Sequence, residues 1–402
     1  MGAGQSGLQL GLGLLKYGYD VVLLSNQTPE QIETGRVTSS QCMFGSSIEN
    51  EQDLGIDFWQ SAPKVDGIQF TLAPPEGRRA FEWSARLDLP AQSIDQRIKM
   101  PKWIHEFRRL GGDFRVVDAG IPELEAVAKE CELVVVASGK GEVGKLFERD
   151  AENSPFDKPM RALGLTYVKG LRPRPDYSAV CFNMIPGVGE YFVFPAVTIS
   201  GPCEIMVFEG IPEGPMDCWR DVKDPQQHLE MSVAILKRFL PWEYERCQSI
   251  SLTDSNGILS GRFPPTVRRP VAMLPSGKKV LGMGDTVCLN DPITGQGSNN
   301  ASKCADVYLQ SILQHNEAGD FDTDWMHKTF DRFWEYAQFV VGWTNNMLLP
   351  PPPHVVELLT AAISKPDIAS WFVNAFDDPR RFFPYLSNPA EARALIANSK
   401  AT

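Results

Sequence analysis

The sequence predicts an α/β protein in three parts. These are a lobe of parallel strands and helices built from discontinuous segments, an inserted β-rich lobe, and a C-terminal helical extension. Three observations carry that expectation. Gly2, Gly4 and Gly7 form a GxGxxG turn that leads into a helical pattern over about residues 4–18. Short apolar runs of the kind buried in parallel sheets recur at 19–25, 132–138 and 278–285. Between the last two, segments at 163–169, 177–185, 191–200 and 203–208 alternate in antiparallel fashion and are separated by Pro and Gly. The resulting parse is 1–152 for the first part of the parallel lobe, 153–275 for the β-rich lobe, 276–320 for the return to the first lobe, and 321–402 for the helical region.

Residues 26–92 read as irregular, with turn signals at Pro63, Gly67, Pro74, Pro75 and Gly77 and a short strand over Ile68–Leu72. Ser93 is placed to cap a helix that passes through Pro101 and stops at Gly111 and Gly112. The strand-like DFRVV and a short helix near 122–130 follow. Helical interruptions fall near 225–239 and 242–247, a long helix starts at about 297, and the remainder is helical apart from the proline run at 349–354.

Composition removes several classes of function. With 39 basic against 50 acidic residues and a net charge of -11, the chain lacks the basic face that nucleic acid or an anionic membrane requires. No apolar run reaches the roughly 18 residues needed to span a bilayer, and the N-terminus carries no positive leader. The expectation is a soluble, cytoplasmic protein. Its eight cysteines form no CxxC and its five histidines no HxH or HExxH, so no metal site is expected. No GxSxG elbow is present to anchor a hydrolytic serine.

The glycine groups carry the chemistry. In a dinucleotide site the first glycine makes the tight turn, the second admits the pyrophosphate to the backbone, and the third lets helix and strand pack. The helix N-terminus then offers its free N–H groups to the phosphates. A second group, Gly139 to Lys145, nearly spells a phosphate loop, but Leu146 stands where the magnesium-binding hydroxyl belongs. The better reading is a strand end whose small residues let a cofactor pass. The third group runs from Gly282 to Ala301. Asp285 emerges there at the carboxyl end of a buried strand, placed to hold ribose or ribitol hydroxyls. Pro292, Gly295, Gln296, Gly297 and Asn299 then form a loop entering a helix whose N-terminus can polarise an electron-poor ring. Arg97 and Arg36 could each aim a guanidinium at the cofactor, or could lie on solvated faces.

Taken in order, GAGQSG, GRVTSSQ, SIDQR, LVVVASGKG and MGDTVCLNDPITGQGSNNA resemble the flavoprotein monooxygenases, and more narrowly the styrene and indole monooxygenases. The resemblance covers essentially the whole chain, and NSPFDKPMRALGLTYVKG resembles the start of that family's substrate lobe. It implies a Rossmann-like FAD-binding lobe, with FAD held loosely and delivered reduced by a separate NADH-dependent flavin reductase. The lack of a second dinucleotide fingerprint fits that division. Ser39, Gln41, Met43, Val65, Ile68 and Ala91 match the indole branch and are the expected substrate-binding residues, with Ser39 as a positioning group. The implied reaction is epoxidation of indole, or of a styrene-like vinyl arene, through a flavin hydroperoxide in a site kept dry. A single-component FAD hydroxylase or reductase, and an inactive flavin-binding paralogue, are the alternatives. Oligomeric state is not fixed, a homodimer being one option. The resemblance also places a strand before the first glycine turn. Here the central strand of the sheet is expected to be missing, through a misassigned start, a truncation, or another segment filling its slot.

Overall fold

The computed structural model describes residues 1–139, 142–315 and 319–400. Its opening helix, Gln5–Lys16, buries Leu8, Leu10 and Leu12 on the parallel-strand lobe. That lobe's sheet is in two pieces. Val22–Ser25 pairs in parallel with Asp113–Val116. Val135–Val136 pairs in parallel with Lys279–Gly282, whose other edge carries the antiparallel strand Val271–Met273. Met1 and Gly2 bridge the slot between the pieces. The terminal ammonium donates to the Val135 carbonyl at 2.8 Å, the Met1 carbonyl accepts from Ala137 N at 2.8 Å, and Gly2 N donates to the Leu24 carbonyl at 2.9 Å. Two residues thus do the pairing where a full strand was expected to be lacking. Burial lowers the ammonium's pKa to about 6.

The β-rich lobe is a nine-stranded sheet. Its order is Ser251–Leu252, Ala162–Lys169, Gly201–Gly210, Gly189–Thr198, Ala179–Ile185, Lys64–Leu72, Phe81–Ser93 and Cys42–Met43, with Ile258–Gly261 also on the Ala162–Lys169 edge. Neighbours are antiparallel except Lys64–Leu72 with Ala179–Ile185, which run parallel.

Two strands correct the sequence reading, since Lys64–Leu72 and Phe81–Ser93 are long and central where an irregular stretch was expected. Their alternation is broken by a bulge. Val65 pairs with Ala91 but Gly67 with Arg86, which leaves Pro90 outside the ladder, where a residue without an N–H is tolerated. The next helix, Gln96–Arg109, is capped by Asp95 rather than Ser93, which is the last strand residue. The Asp95 carboxylate accepts from Arg97 N at 2.8 Å.

Helix Pro225–Phe239 packs with Trp219 and Phe208 on one face of the large sheet. The C-terminal region covers the other. Phe70 stacks on Trp83 with centroids 5.3 Å apart and meets Phe182 edge-on at 5.1 Å, and Phe372 of helix Pro366–Asn374 closes the cluster. Trp83 Nε1 donates to the Leu359 carbonyl at 2.9 Å, which ties helix Pro353–Ala361 to the same strand. No described helix is long and apolar enough to cross a membrane.

Candidate active site

A cleft of about 840 Å³ opens where the parallel strands end. Leu24 to Gln27, Val117 to Gly120, Ala137 to Gly139 and Asp285 all line it, each at or just past the carboxyl end of a strand. Open α/β sheets bind ligands at that edge, because strand-end loops and helix N-termini converge there. The glycine turn forms its floor. Gly2 adopts φ +109°, and a Cβ there would fall 2.2 Å from the Ala137 carbonyl oxygen. A Cβ on Gly7 would fall 2.0 Å from Gly2 O, so neither position admits a side chain. Gly4 differs: a Cβ there would meet nothing within 4 Å, so its backbone faces the open cleft. It is also the N-cap of the opening helix and supplies no side chain to the first-turn amides. An open backbone beside uncapped amides fits a pyrophosphate.

Asp285 sits in the short turn Gly284–Thr286, which packs against Ser6 of the opening helix, and Gly139 N donates to Thr286 Oγ1 at 3.2 Å, joining two strand ends. Lys140 and Gly141 of the near-phosphate-loop lie outside the described residues. Gly297 and Ser298 bring the start of helix Gly297–His315 to the cleft.

A second, smaller cavity of about 40 Å³ lies inside the large sheet's concave side. Phe44, Ile68, Phe182, Phe192, Phe194 and Phe376 give it an aromatic and aliphatic wall, and Ser40, Cys42 and the turn Pro292–Gly295 complete it. Cys42 is the one titratable group among the lining residues, and burial pushes its thiol up to about 12. It stays a neutral thiol at physiological pH.

Cleft and cavity share a wall. Ser39 lines the cleft, whereas Ser40, Cys42 and Phe44 line the cavity. Asn299 clamps this segment: its Nδ2 donates to Cys42 O at 2.8 Å and Gly295 O at 3.0 Å, and its Oδ1 accepts from Phe44 N at 2.8 Å. Gln296 Nε2 donates to the Phe376 carbonyl at 2.8 Å and so brings the C-terminal region onto the same loop.

Residues 139–246 match the family described as "Styrene monooxygenase A putative substrate binding domain". Over 399 residues the chain is 28% identical to styrene monooxygenase StyA of Pseudomonas fluorescens, covering 97% of this chain and 94% of the relative. The StyA of a Pseudomonas sp. aligns with the same figures. The chain is thus similar to styrene monooxygenases over nearly its whole length, and the family match falls on residues 139–246. Solved structures agree on the fold. A flavoprotein/dehydrogenase from Cytophaga hutchinsonii superposes with TM-score 0.69 at 13% identity, covering 98% of this chain and 97% of that one. The flavin-dependent brominase Bmp2 gives 0.65 at 13% identity, covering 98% and 96%.

Several expected positions move. Arg97 does not line the cleft. The side chain is 2% exposed and engaged by Asp95 at 2.8 Å and Asp254 at 2.9 Å, with Thr198 Oγ1 at 3.0 Å. Arg36 is exposed and lines neither space. Of the six expected substrate residues, only Ile68 lines the cavity. Along 39–44 the even-numbered residues face it, so a reading built on Ser39, Gln41 and Met43 selects the other side of an extended chain. Val65 and Ala91 are fully buried and paired with each other across the ladder. Gln41 has φ +35°, a conformation costly for a residue with a side chain. A closed network holds it there: Ser39 Oγ donates to Gln41 Oε1 and Gln41 Nε2 to Tyr167 Oη, both at 2.8 Å, and Tyr167 Oη donates to Ser39 O at 2.9 Å. Tyr167 escaped the sequence reading because an alternating strand marks it only as core. Phe376 and the cavity's sheet phenylalanines escaped it for the same reason.

The buried pairs around Arg97 give a direct test. Arg97→Met leaves Asp95 buried without its cation, so unfolding stability in denaturant falls by about 3–5 kcal/mol. Flavin affinity of the folded variant is expected to stay near wild type. Unchanged stability with lost flavin affinity would return the residue to the cofactor.

Proposed function

We propose that this chain is the oxygenase component of a two-component system, using FAD supplied in reduced form by a separate NADH-dependent reductase and oxygenating indole. One observation carries the reading: a dinucleotide-sized cleft and an apolar cavity meet across two stretches of chain, residues 39–44 and 292–298, each of which lines both spaces. A cofactor ring in the cleft and an arene in the cavity would then meet at that wall. Gly2, Gly4 and Gly7 would hold the pyrophosphate, Asp285 the polyol or ribose hydroxyls, and Gly139 and Gly297 the approach to the ring. Asn299, Gln296, Pro292 and Gly295 act by fixing the wall.

A reduced flavin held there would supply the two electrons that let one atom of dioxygen go to the substrate and the other leave as water. The chain's own residues hold the arene and keep water out. Phe182, Phe192 and Phe194 present apolar faces from the sheet and Phe376 closes the cavity from the C-terminal region. At about 40 Å³ the cavity takes roughly three waters, so these rings must turn to admit a bicyclic substrate. The hydroxyls of Ser40 and Thr294 are the polar side-chain groups in the wall besides the neutral thiol, and they favour an arene carrying one N–H.

Two outcomes test this. Supplied with reduced FAD, oxygen and either arene, the protein is expected to oxygenate indole with higher kcat/KM than styrene, and Ser40→Ala to narrow that preference about tenfold by removing a hydrogen bond of about 1–3 kcal/mol. NADH alone should reduce no bound flavin. A wild-type preference for styrene would refute the indole assignment, and reduction by NADH the two-component one. Separately, Asp285→Ala should weaken FAD binding about tenfold or more, the loss of a charged hydrogen bond of roughly 1.5–3 kcal/mol, with flavin-free stability little changed. Unaltered affinity in a fluorescence titration would make Asp285 a structural residue only.

A further inference from the structure

Three carboxyl groups gather beside the cavity, each one or two residues from a lining position, and those of the two strands lie on the sheet face that lines it. Glu209 follows Val207 on strand Gly201–Gly210, Glu190 precedes Phe192 on Gly189–Thr198, and Asp291 precedes Pro292. All three are buried, and Glu209 is 0% exposed. Glu209 and Glu190 stand directly opposite each other in the ladder, a placement that two anions would not tolerate unaided. Arg161, just before strand Ala162–Lys169, answers Glu190 with two hydrogen bonds, at 2.7 Å and 3.0 Å. Neither oxygen of Glu209 meets a donor among the described residues, while Asp291 lies within hydrogen-bonding reach of it. A buried carboxyl without a donor is costly unless it carries the hydrogen itself. Asp291 in turn caps the turn Pro292–Thr294, its Oδ1 accepting from Ile293 N at 3.1 Å.

We propose that Glu209 is a positioning residue: as a neutral carboxylic acid it donates a hydrogen bond to Asp291 and so fixes the Asp291–Gly295 turn that walls the cavity. The role assigned to that turn beside the flavin ring rests on the function proposed above. The groups facing Glu209 are Asp291, Glu190 and Arg161. Burial foremost, then the charge of Asp291 and the hydrogen bond to it, then Glu190, raise its pKa well above the usual carboxylate range, against the pull of Arg161. Burial raises Glu190 as well, opposed by the same arginine. Holding a carboxyl neutral at pH 7 costs folding stability, which an amide of the same shape would not, so the pair is a feature kept at a cost.

The sign follows from linkage. A carboxyl whose pKa is higher folded than unfolded contributes fully below the unfolded value of about 4.3, and its contribution is lost as pH rises toward the folded value. Glu209→Gln removes that loss. In flavin-free protein, its Tm relative to wild type is therefore expected to climb steadily between about pH 5 and about pH 8. Parallel curves for the two proteins would overturn the neutral carboxyl. For the positioning role, anaerobic titration with reduced FAD is expected to give Glu209→Leu about a tenfold weaker affinity and Glu209→Gln wild-type affinity, since the amide still donates to Asp291. Wild-type affinity should also fall at alkaline pH, and that of Glu209→Gln should not. Equal affinity of Glu209→Leu and wild type would overturn the role. The unfolding comparison involves no flavin, so its failure counts against Glu209 alone, whereas a wild type that binds no reduced flavin counts against the proposed function.

Discussion

The Asn299 amide holds the site together. One side chain satisfies Cys42 O, Phe44 N and Gly295 O at 2.8–3.0 Å, pinning an extended segment from early in the chain to a helix start more than 250 residues later. That segment and the loop 292–298 to which Asn299 ties it lie between cleft and cavity, so their position decides whether a ring on one side can reach a substrate on the other. Backbone groups in such a partition have no water to fall back on, and a buried N–H or C=O without a partner costs more than a hydrogen bond contributes. The Ser39–Gln41–Tyr167 network completes the restraint from below, keeping Gln41 in an unfavourable backbone region. Strain of this kind persists only where the surroundings over-determine it.

The rest of the fold serves this partition from two directions. The large sheet supplies a curved apolar wall whose phenylalanines pack among themselves, and the C-terminal helices close it. Phe376 reaches the cavity, held by Gln296, while Ser46, in the first turn of helix Gly45–Leu54, donates to the carboxylate of neighbouring Asp377 through its N–H at 3.0 Å and its hydroxyl at 2.6 Å. The helical extension is thus a structural side of the cavity. The one thiol among the cavity's lining residues, Cys42, is held neutral by burial.

How much of this was legible in the sequence depended on distance along the chain. The glycine turn, the strand ending at Asp285 and the loop into the helix at Gly297 are local features, set by residues within a few positions of one another, and they fall together on the cleft. Of the strands Lys64–Leu72 and Phe81–Ser93 only the stretch Ile68–Leu72 was legible, because a bulge opposite Asp66 that takes in Pro90 breaks their pairing. Arg97 was ambiguous for a different reason: Asp254, which captures it, lies 157 residues away. The cavity lining failed on parity. An extended segment shows alternate faces, and nothing local to Ser39–Phe44 states which face meets the sheet.

The central claim, that substrate is held in the cavity behind residues 39–44 while flavin occupies the cleft before them, is tested most directly by filling the cavity. Val180 lines it and not the cleft. In Val180→Phe supplied with reduced flavin, oxygen and indole, product and hydrogen peroxide are measured per flavin oxidised, with cooperative thermal unfolding as the check on folding. The account predicts flavin oxidation at an undiminished rate, product near background, and peroxide in its place. Product formation at the wild-type yield would contradict it.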